Sequence, residues 1–244
     1  MVCWNIVPQM VEHEQLLKDL IEIKSYSGEE AQIRQFIQNW FSERKIDSFI
    51  QGENLVVHFE GKDRSRAFIF NSHMDTVKAE GEERTKWRSG PWDLTTIKNR
   101  AIGLGASDMK SGLVASMLLA QRVDSGGMPP VDIWFTYVVN EEVDGSGTES
   151  FANWFKSSGN LKKYKDMAAI FTEPTNLNEV EHGHRGNLFV KAIAQGDGGH
   201  ASRPDKIKGV TAVRKIINFG DELNKAVLKW QQEYKSKHFK TSIT

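Results

Sequence analysis

The chain carries a single cysteine, Cys3, which excludes an intrachain disulfide and a thiolate zinc finger and fits a reducing compartment. Charge of one sign is not in excess. The 32 Lys and Arg balance 32 Asp and Glu, so no global field exists to recruit nucleic acid or an anionic membrane surface. No apolar stretch approaches the ~18 residues of a membrane span. Trp4, Asn5, Pro8 and Gln9 interrupt the apolar residues at the start, so the basic and apolar regions of a signal peptide are missing too. Internal repeats and low-complexity segments are lacking as well. Together these absences predict a soluble, cytoplasmic globular protein with neither nucleic-acid nor membrane partners, whose function resides in a local site. The 244 residues and 39% hydrophobic content are enough for one large domain or two modest ones.

Ser27 followed by Glu30 predicts a capping box, opening a helix that places Ile33, Phe36, Ile37, Trp40 and Phe41 at helical spacing. Leu16, Leu17, Leu20, Ile21 and Ile23 predict an earlier helix over residues 9–24. Residues 54–59 and 67–71 read as strands separated by a turn-like Gly61 to Ser65. A helix of small residues is expected from Lys110 to about Val123. Val131 to Val139 is almost wholly apolar and β-branched or aromatic, the signature of a central strand covered on both faces. Thr148 to Lys156 reads as a helix, and Met167 to Thr172 as a second buried strand. This alternation predicts a layered α/β domain around a mixed sheet, over residues 1–180.

Beyond Glu181 the texture changes. A polar, turn-rich stretch over 182–186 leads into an expected strand over Asn187 to Ala194 and a glycine-rich loop from Gly196 to Pro204. Val210, Val213, Ile217, Leu223, Val227 and Trp230 then mark a long amphipathic helix. One strand and one helix cannot bury their own apolar faces, so residues 181–244 are expected to be the beginning of a second unit rather than a whole one.

Four predicted strand ends or helix starts carry metal-binding side chains. The strand at 67–71 runs into Ser72-His73-Met74-Asp75, which puts an imidazole and a carboxylate on one face; Asp75 is placed to orient His73. The bland alternative is a histidine satisfied beside a turn aspartate. Gly103 to Gly112 combines a flexible loop, Asp108 and a helix start. The order of a phosphate-binding loop is absent, and the alternative role for Asp108 is a helix cap. Asn140-Glu141-Glu142 follows the apolar strand, at the edge where α/β sheets place ligands. Paired carboxylates there repel one another unless a cation joins them, and one can ligate while the other takes a proton; an acidic surface loop is the alternative. Glu173 ends the next strand, before Pro174. Nitrogen and oxygen donors without thiolate suit zinc, with cobalt or manganese as substitutes.

These blocks, Asn71 to Val77, Gly103 to Gly112, Asn140 to Thr148 and Thr172 to Thr175, are followed in order by His184-Arg185-Gly186 and His200 to Pro204. In that arrangement the chain resembles the dinuclear zinc metallopeptidase family of acetylornithine deacetylase, succinyl-diaminopimelate desuccinylase, aminoacylase and carboxypeptidase G. The resemblance implies an aminopeptidase-like, three-layer α/β catalytic domain with a mixed central sheet, followed by the start of an inserted α+β lid that makes a homodimer. It implies two Zn2+ ions. Asp108 would bridge them, His73 and Glu142 would hold one and Glu173 the other, while Asp75 orients His73. Glu141 would be the general base that takes the proton of the metal-bridging water and returns it to the leaving amine, and His200 would stabilise the oxyanion. Arg185 is the candidate for a substrate carboxylate. A cis peptide is expected after Asp108.

The implied reaction is hydrolysis of the amide of an N-acyl amino acid; a di-/tripeptidase or carboxypeptidase is the alternative within chemistry, and an inactive relative acting as a binding protein the alternative outside it. The family's last ligand, a histidine near the C-terminus, has no counterpart here, and His238 is a poor substitute. The resemblance therefore implies an incomplete chain with a weak or inactive site. His182 and His184 read as structural or substrate-contacting rather than ligating, and Trp87 and Trp92 as packing residues.

Overall fold

A computed structural model describes residues 12–98, 100–176, 179–183, 190–200, 202–206 and 209–234. The chain divides into two compact units, residues 1–179 and 180–244.

The first unit opens with helices α1 (Glu12–Glu22) and α2 (Ala31–Glu43), then strands β1 (Ser48–Gln51), β2 (Asn54–Phe59) and β3 (Asp63–His73). A short helix α3 (Glu82–Thr85) and a hairpin, β4 (Thr95–Ile97) with β5 (Arg100–Ile102), precede α4 (Ser111–Ser125). Then come β6 (Val131–Val138), α5 (Ser146–Ser157), α6 (Asn160–Lys163) and β7 (Asp166–Phe171). The main sheet has five strands in the order β1-β2-β6-β3-β7. It is mixed: β6 pairs antiparallel with β2 and parallel with β3, and β3 pairs parallel with β7.

Strand periodicity sorts side chains onto the two faces. Leu55, Val57, Phe135 and Tyr137 join Leu16, Leu20, Ile33, Ile37 and Phe41 of the first helices and Leu113 and Met117 of α4 in one core. Val56 and Trp134, one residue out of phase, join Phe151, Phe155 and Tyr164 in the other. Helices thus cover both faces, and β6 is the central strand that its apolar run predicts.

At the start of β6 the fully buried Asp132 accepts hydrogen bonds from the Gly61 amide (2.8 Å), Lys163 Nζ (2.7 Å) and the Tyr164 hydroxyl (2.6 Å). Burial would raise this carboxyl, but those donors overcome it and hold it at about 2. Asp132→Ala leaves the Gly61 and Tyr164 donors without partners, and a loss of about 3 kcal/mol is expected in urea unfolding. Because the folded-state value is depressed, the carboxylate's contribution is complete above the ordinary aspartate range and fades as pH falls from about 4 towards 2. The variant's stability should therefore approach that of the parent in acid.

Several sequence expectations are corrected. Ser27 and Glu30 form no capping box: Glu30 occupies the N-cap of α2 without a side-chain cap bond, and the Ser27 hydroxyl donates instead to Asp75 Oδ2 at 2.7 Å. Residues 63–65, expected in a turn, already belong to β3, with a register shift between Asp63 and Ala67. The expected buried strand over 167–172 is β7, which is exposed along its whole length. It is an edge strand that pairs with β3 alone among the described strands, so apolar composition there does not report cover. No helix of the described residues is long and apolar enough to cross a membrane.

In the second unit, Thr211 caps α7 (Ala212–Glu233) by accepting from the Arg214 amide at 3.2 Å. Val213, Ile217, Leu223 and Trp230 of this helix are exposed. Of the strand expected over 187–194, residues 187–189 lie outside the described residues, and Val190 to Ala194 forms no strand.

Candidate metal centre

Parallel pairing aligns three chain exits on one rim of the sheet. His73, the last residue of β3, pairs with Val138, the last residue of β6. On the other side of β3, Asn71 pairs with Phe171, the last residue of β7. The Thr172 amide extends this ladder to the Asn71 carbonyl (3.1 Å) and its hydroxyl lies 2.8 Å from Ser72 Oγ, which delivers Glu173 beside His73. This is the carboxyl edge of the strands, where open α/β sheets bind ligands.

Asp108 reaches the rim from an irregular turn, Ala106–Lys110, in which Asp108 and Met109 leave helical geometry and share a cis peptide bond. Two contacts seat that turn. Gly112 lies so close to the Thr172 carbonyl oxygen that a Cβ there would be 2.3 Å from it, so only glycine permits the approach. The buried Lys110 Nζ donates to the carbonyls of Leu20 and Ile23 at the end of α1, both at 2.8 Å. Burial lowers this ammonium to about 7.

The centre is organised around the His73 imidazole, buried at 1% exposure. Its Nδ1 donates to the Asp75 carbonyl at 3.0 Å and lies 3.3 Å from Asp75 Oδ1, so both Nδ1 neighbours are acceptors and Nδ1 carries the proton. Its Nε2 faces Asp108 Oδ1 at 3.1 Å, Glu173 Oε1 at 3.7 Å and Glu141 Oε2 at 3.8 Å. Among the described residues, His73, Asp108 and Glu173 form a group whose ligand atoms all lie within 4.8 Å of one another. The carboxylates of Asp108, Glu141 and Glu173 are open to solvent, at 56%, 46% and 37% exposure, so a substrate can approach from their side.

The electrostatics record crowded negative charge. Burial would lower His73, but hydrogen bonds to Asp108 and Asp75 and the charge of Glu173 hold it up at about 10. Hydrogen bonding to His73 keeps Asp108 below the usual carboxylate range. Burial, reinforced by Asp108 and Glu141, pushes Glu173 up to about 7 against the pull of His73. Burial and then Asp108 also push Glu142 upward. Asp75, despite burial, is kept low by His73, the Ser27 hydroxyl and the Glu142 amide. A protonated imidazole serves as the counter-charge to these acids, and a divalent cation at Nε2 could replace that proton. Such a donor set, one imidazole and several carboxylates without thiolate, fits zinc, cobalt or manganese.

The other candidates stand elsewhere. The Glu142 carboxylate does not join the group of three, and it is Glu141 that approaches Nε2. His200 lies in the second unit, exposed, with Nδ1 accepting from Ser202 Oγ at 2.7 Å. His182 is exposed as well. Arg185, His184 and His238 lie outside the described residues. Trp87 and Trp92 pack with Tyr26, Ala79 and Leu104, as expected for packing residues. Sequence reasoning did not find the parts of Ser27, Glu30 and Lys110, since each contact joins positions 48 to 110 residues apart and local spacing carries no trace of it.

A mixed sheet layered between helices, with a buried imidazole and solvent-open acids at its carboxyl rim, defines a layered α/β protein with a candidate metal centre at its ligand edge. Residues 69–239 match peptidase family M20/M25/M40, and the chain belongs to that family. It is 26% identical over 227 residues to a probable succinyl-diaminopimelate desuccinylase of Staphylococcus epidermidis, covering 91% of this chain and 51% of that protein. It is 30% identical over 205 residues to a probable carboxypeptidase of Talaromyces marneffei, covering 78% and 44%. The M20 metallo-carboxypeptidase Sso-CP2 of Sulfolobus solfataricus shares the fold, with a TM-score of 0.55 at 15% identity over 66% of this chain and 37% of that one. The chain spans about half the length of the curated relatives it matches.

Proposed function

We propose that the protein to which this chain belongs hydrolyses the amide of an N-acyl amino acid, of the deacetylase or desuccinylase type, with two zinc ions. The observation that carries this reading is the convergence of His73 Nε2, Asp108 and Glu173 within 4.8 Å at the sheet rim. Asp108, His73, Glu142 and Glu173 would hold the ions as the protein's donors. When bound, the ions supply Lewis acidity and make water nucleophilic at neutral pH.

The chain's own residues do the rest. Asp75 fixes the ring and tautomer of His73. Glu141, solvent-open beside Nε2, takes the proton of the attacking water at its carboxylate and hands it to the departing amine. His200 as an oxyanion donor and Arg185 as a fork for the substrate carboxylate belong to the same proposal, as do the lid character of residues 181–244, a homodimer through it, and a cytoplasmic location. The relative named carboxypeptidase favours a second reading, in which the scissile amide is a peptide bond.

The test is metal analysis joined to a substrate panel. The full-length protein, stripped by chelator and reloaded, is expected to take up close to two zinc ions and to cleave N-acetyl or N-succinyl amino acids only when loaded. Cleavage of dipeptides in preference would select the second reading. Uptake of no zinc would end both and leave an inactive relative.

A further inference from the structure

Where β6 ends, four consecutive amides are each held by a side-chain oxygen rather than by another strand. The Val139 amide donates to Asn54 Oδ1 at 3.2 Å and the Asn140 amide to Glu30 Oε1 at 3.0 Å. The Glu141 and Glu142 amides donate to Asp75 Oδ1 and Oδ2, each at 3.1 Å. Asn140 adopts a left-handed φ of 58°, and its carbonyl accepts from the amides of Asp144 (3.2 Å) and Gly145 (2.8 Å). Successive main-chain N–H groups in such a turn make an anion-binding concavity, and here the protein's own carboxylates fill it.

Asp75 has an evident reason to be there, since it also orients His73. Glu30 has none in its own helix. It sits at the N-cap of α2, makes no cap bond, and is buried at 4% exposure with its carboxylate aimed across 110 residues of sequence at the Asn140 amide. A carboxylate in such a place is costly unless it is hydrogen-bonded. Three residues earlier, the Ser27 hydroxyl donates to Asp75 Oδ2, the oxygen that also accepts the Glu142 amide. The segment between α1 and α2 therefore grips the 140–142 loop twice, directly through Glu30 and through Asp75 by way of Ser27.

We propose that Glu30, seconded by Ser27, is a positioning residue: it fixes the backbone of Asn140 to Glu142 and thereby aims the carboxylates of Glu141 and Glu142. The grip on the loop stands on geometry alone, while its consequence for metal rests on the function proposed above. The two are separated by two readouts on the full-length protein.

The first is amide hydrogen exchange over residues 139–144 of the metal-free chain. Glu30→Ala is expected to speed exchange of the Asn140, Glu141 and Glu142 amides by about 10-fold, the cost of one hydrogen bond to a charged acceptor, with β6 and α2 unaltered. Glu30→Gln keeps an acceptor oxygen and should stay within about twofold of the parent. Unchanged exchange in Glu30→Ala overturns the proposal, and so does acceleration spread equally over α2 and the core. If Glu30→Ala does not fold, Glu30→Asp, which withdraws the oxygen by one methylene, is expected to show the same local acceleration.

The second readout is zinc affinity by chelator competition. It is expected to weaken about 10-fold in Glu30→Ala, as for other residues that hold ligands in place, and to be restored in Glu30→Gln. Parent-like zinc affinity in a variant whose loop exchanges faster would overturn the positioning role. A full-length parent that takes up no zinc would instead sink the metal-centre reading, and the exchange comparison would still decide whether Glu30 holds the loop.

Discussion

Glu141→Gln in the full-length protein is expected to lower kcat by about 10²- to 10⁴-fold while the zinc content of the purified variant stays at the parent's value. The substitution is nearly isosteric, so packing and the Glu141 amide's bond to Asp75 are unaffected. What disappears is a carboxylate able to carry a proton, at a place 3.8 Å from His73 Nε2 and 46% exposed, where water has access. A simultaneous fall in kcat and in metal content would show that Glu141 ligates and would exchange its part with Glu142. That outcome has a structural motive, because Glu141 is the member of the pair that approaches Nε2. The paired variant Glu142→Gln makes the distinction sharp: lost metal there, with metal retained in Glu141→Gln, supports the assignment.

His73→Ala is expected to weaken zinc binding by ~100-fold or more, at or beyond the upper end of what the loss of a ligand's hydrogen-bonding partner costs. The imidazole is the one nitrogen donor of the group, and it is also the positive counter-charge that holds Asp108 down in the metal-free state. Without it, Asp108, Glu141 and Glu173 face one another with only solvent between them, and their mutual repulsion favours protonation, which competes with metal. Zinc uptake measured against a chelator across pH should therefore fall further in mildly acidic buffer for the variant than for the parent. Parent-like stoichiometry in His73→Ala would refute the ligand assignment.

Much of this architecture is legible in the sequence because it depends on short-range periodicity. The apolar run of β6 announces a central strand, and the helical spacing of Ile33, Ile37, Trp40 and Phe41 announces α2. Most chemistry-bearing positions are legible for a related reason: His73, Glu141, Glu142 and Glu173 lie within a few residues of a strand end, whereas Asp108 comes from the turn before α4 and is placed by its helix start. What escapes is whatever depends on tertiary neighbours. Ser27 and Glu30 match a capping box letter for letter, yet their side chains turn to partners 48 and 110 residues away; a helix N-terminus tolerates solvent at its free amides, whereas the amides after β6 have no strand to bond. β7 reads as buried because Ala168, Ala169, Ile170 and Phe171 are apolar, but a strand's cover is decided by what packs on it, and sequence cannot see that. The 141/142 division of labour is equally invisible, since adjacent residues of the same type differ only in which way the loop aims them.

The exposed β7 has a practical bearing on handling the polypeptide. Among the described residues no strand pairs with its outer side, which is flanked by Met167, Ile170 and Phe171 at 38%, 44% and 55% exposure, the combination from which edge-to-edge association and precipitation start. Colloidal loss in concentrated samples of residues 1–244 should begin there, and a lysine in place of Ala169, whose backbone stays paired with Ile69, would act as a gatekeeper without disturbing the rim where the acids meet.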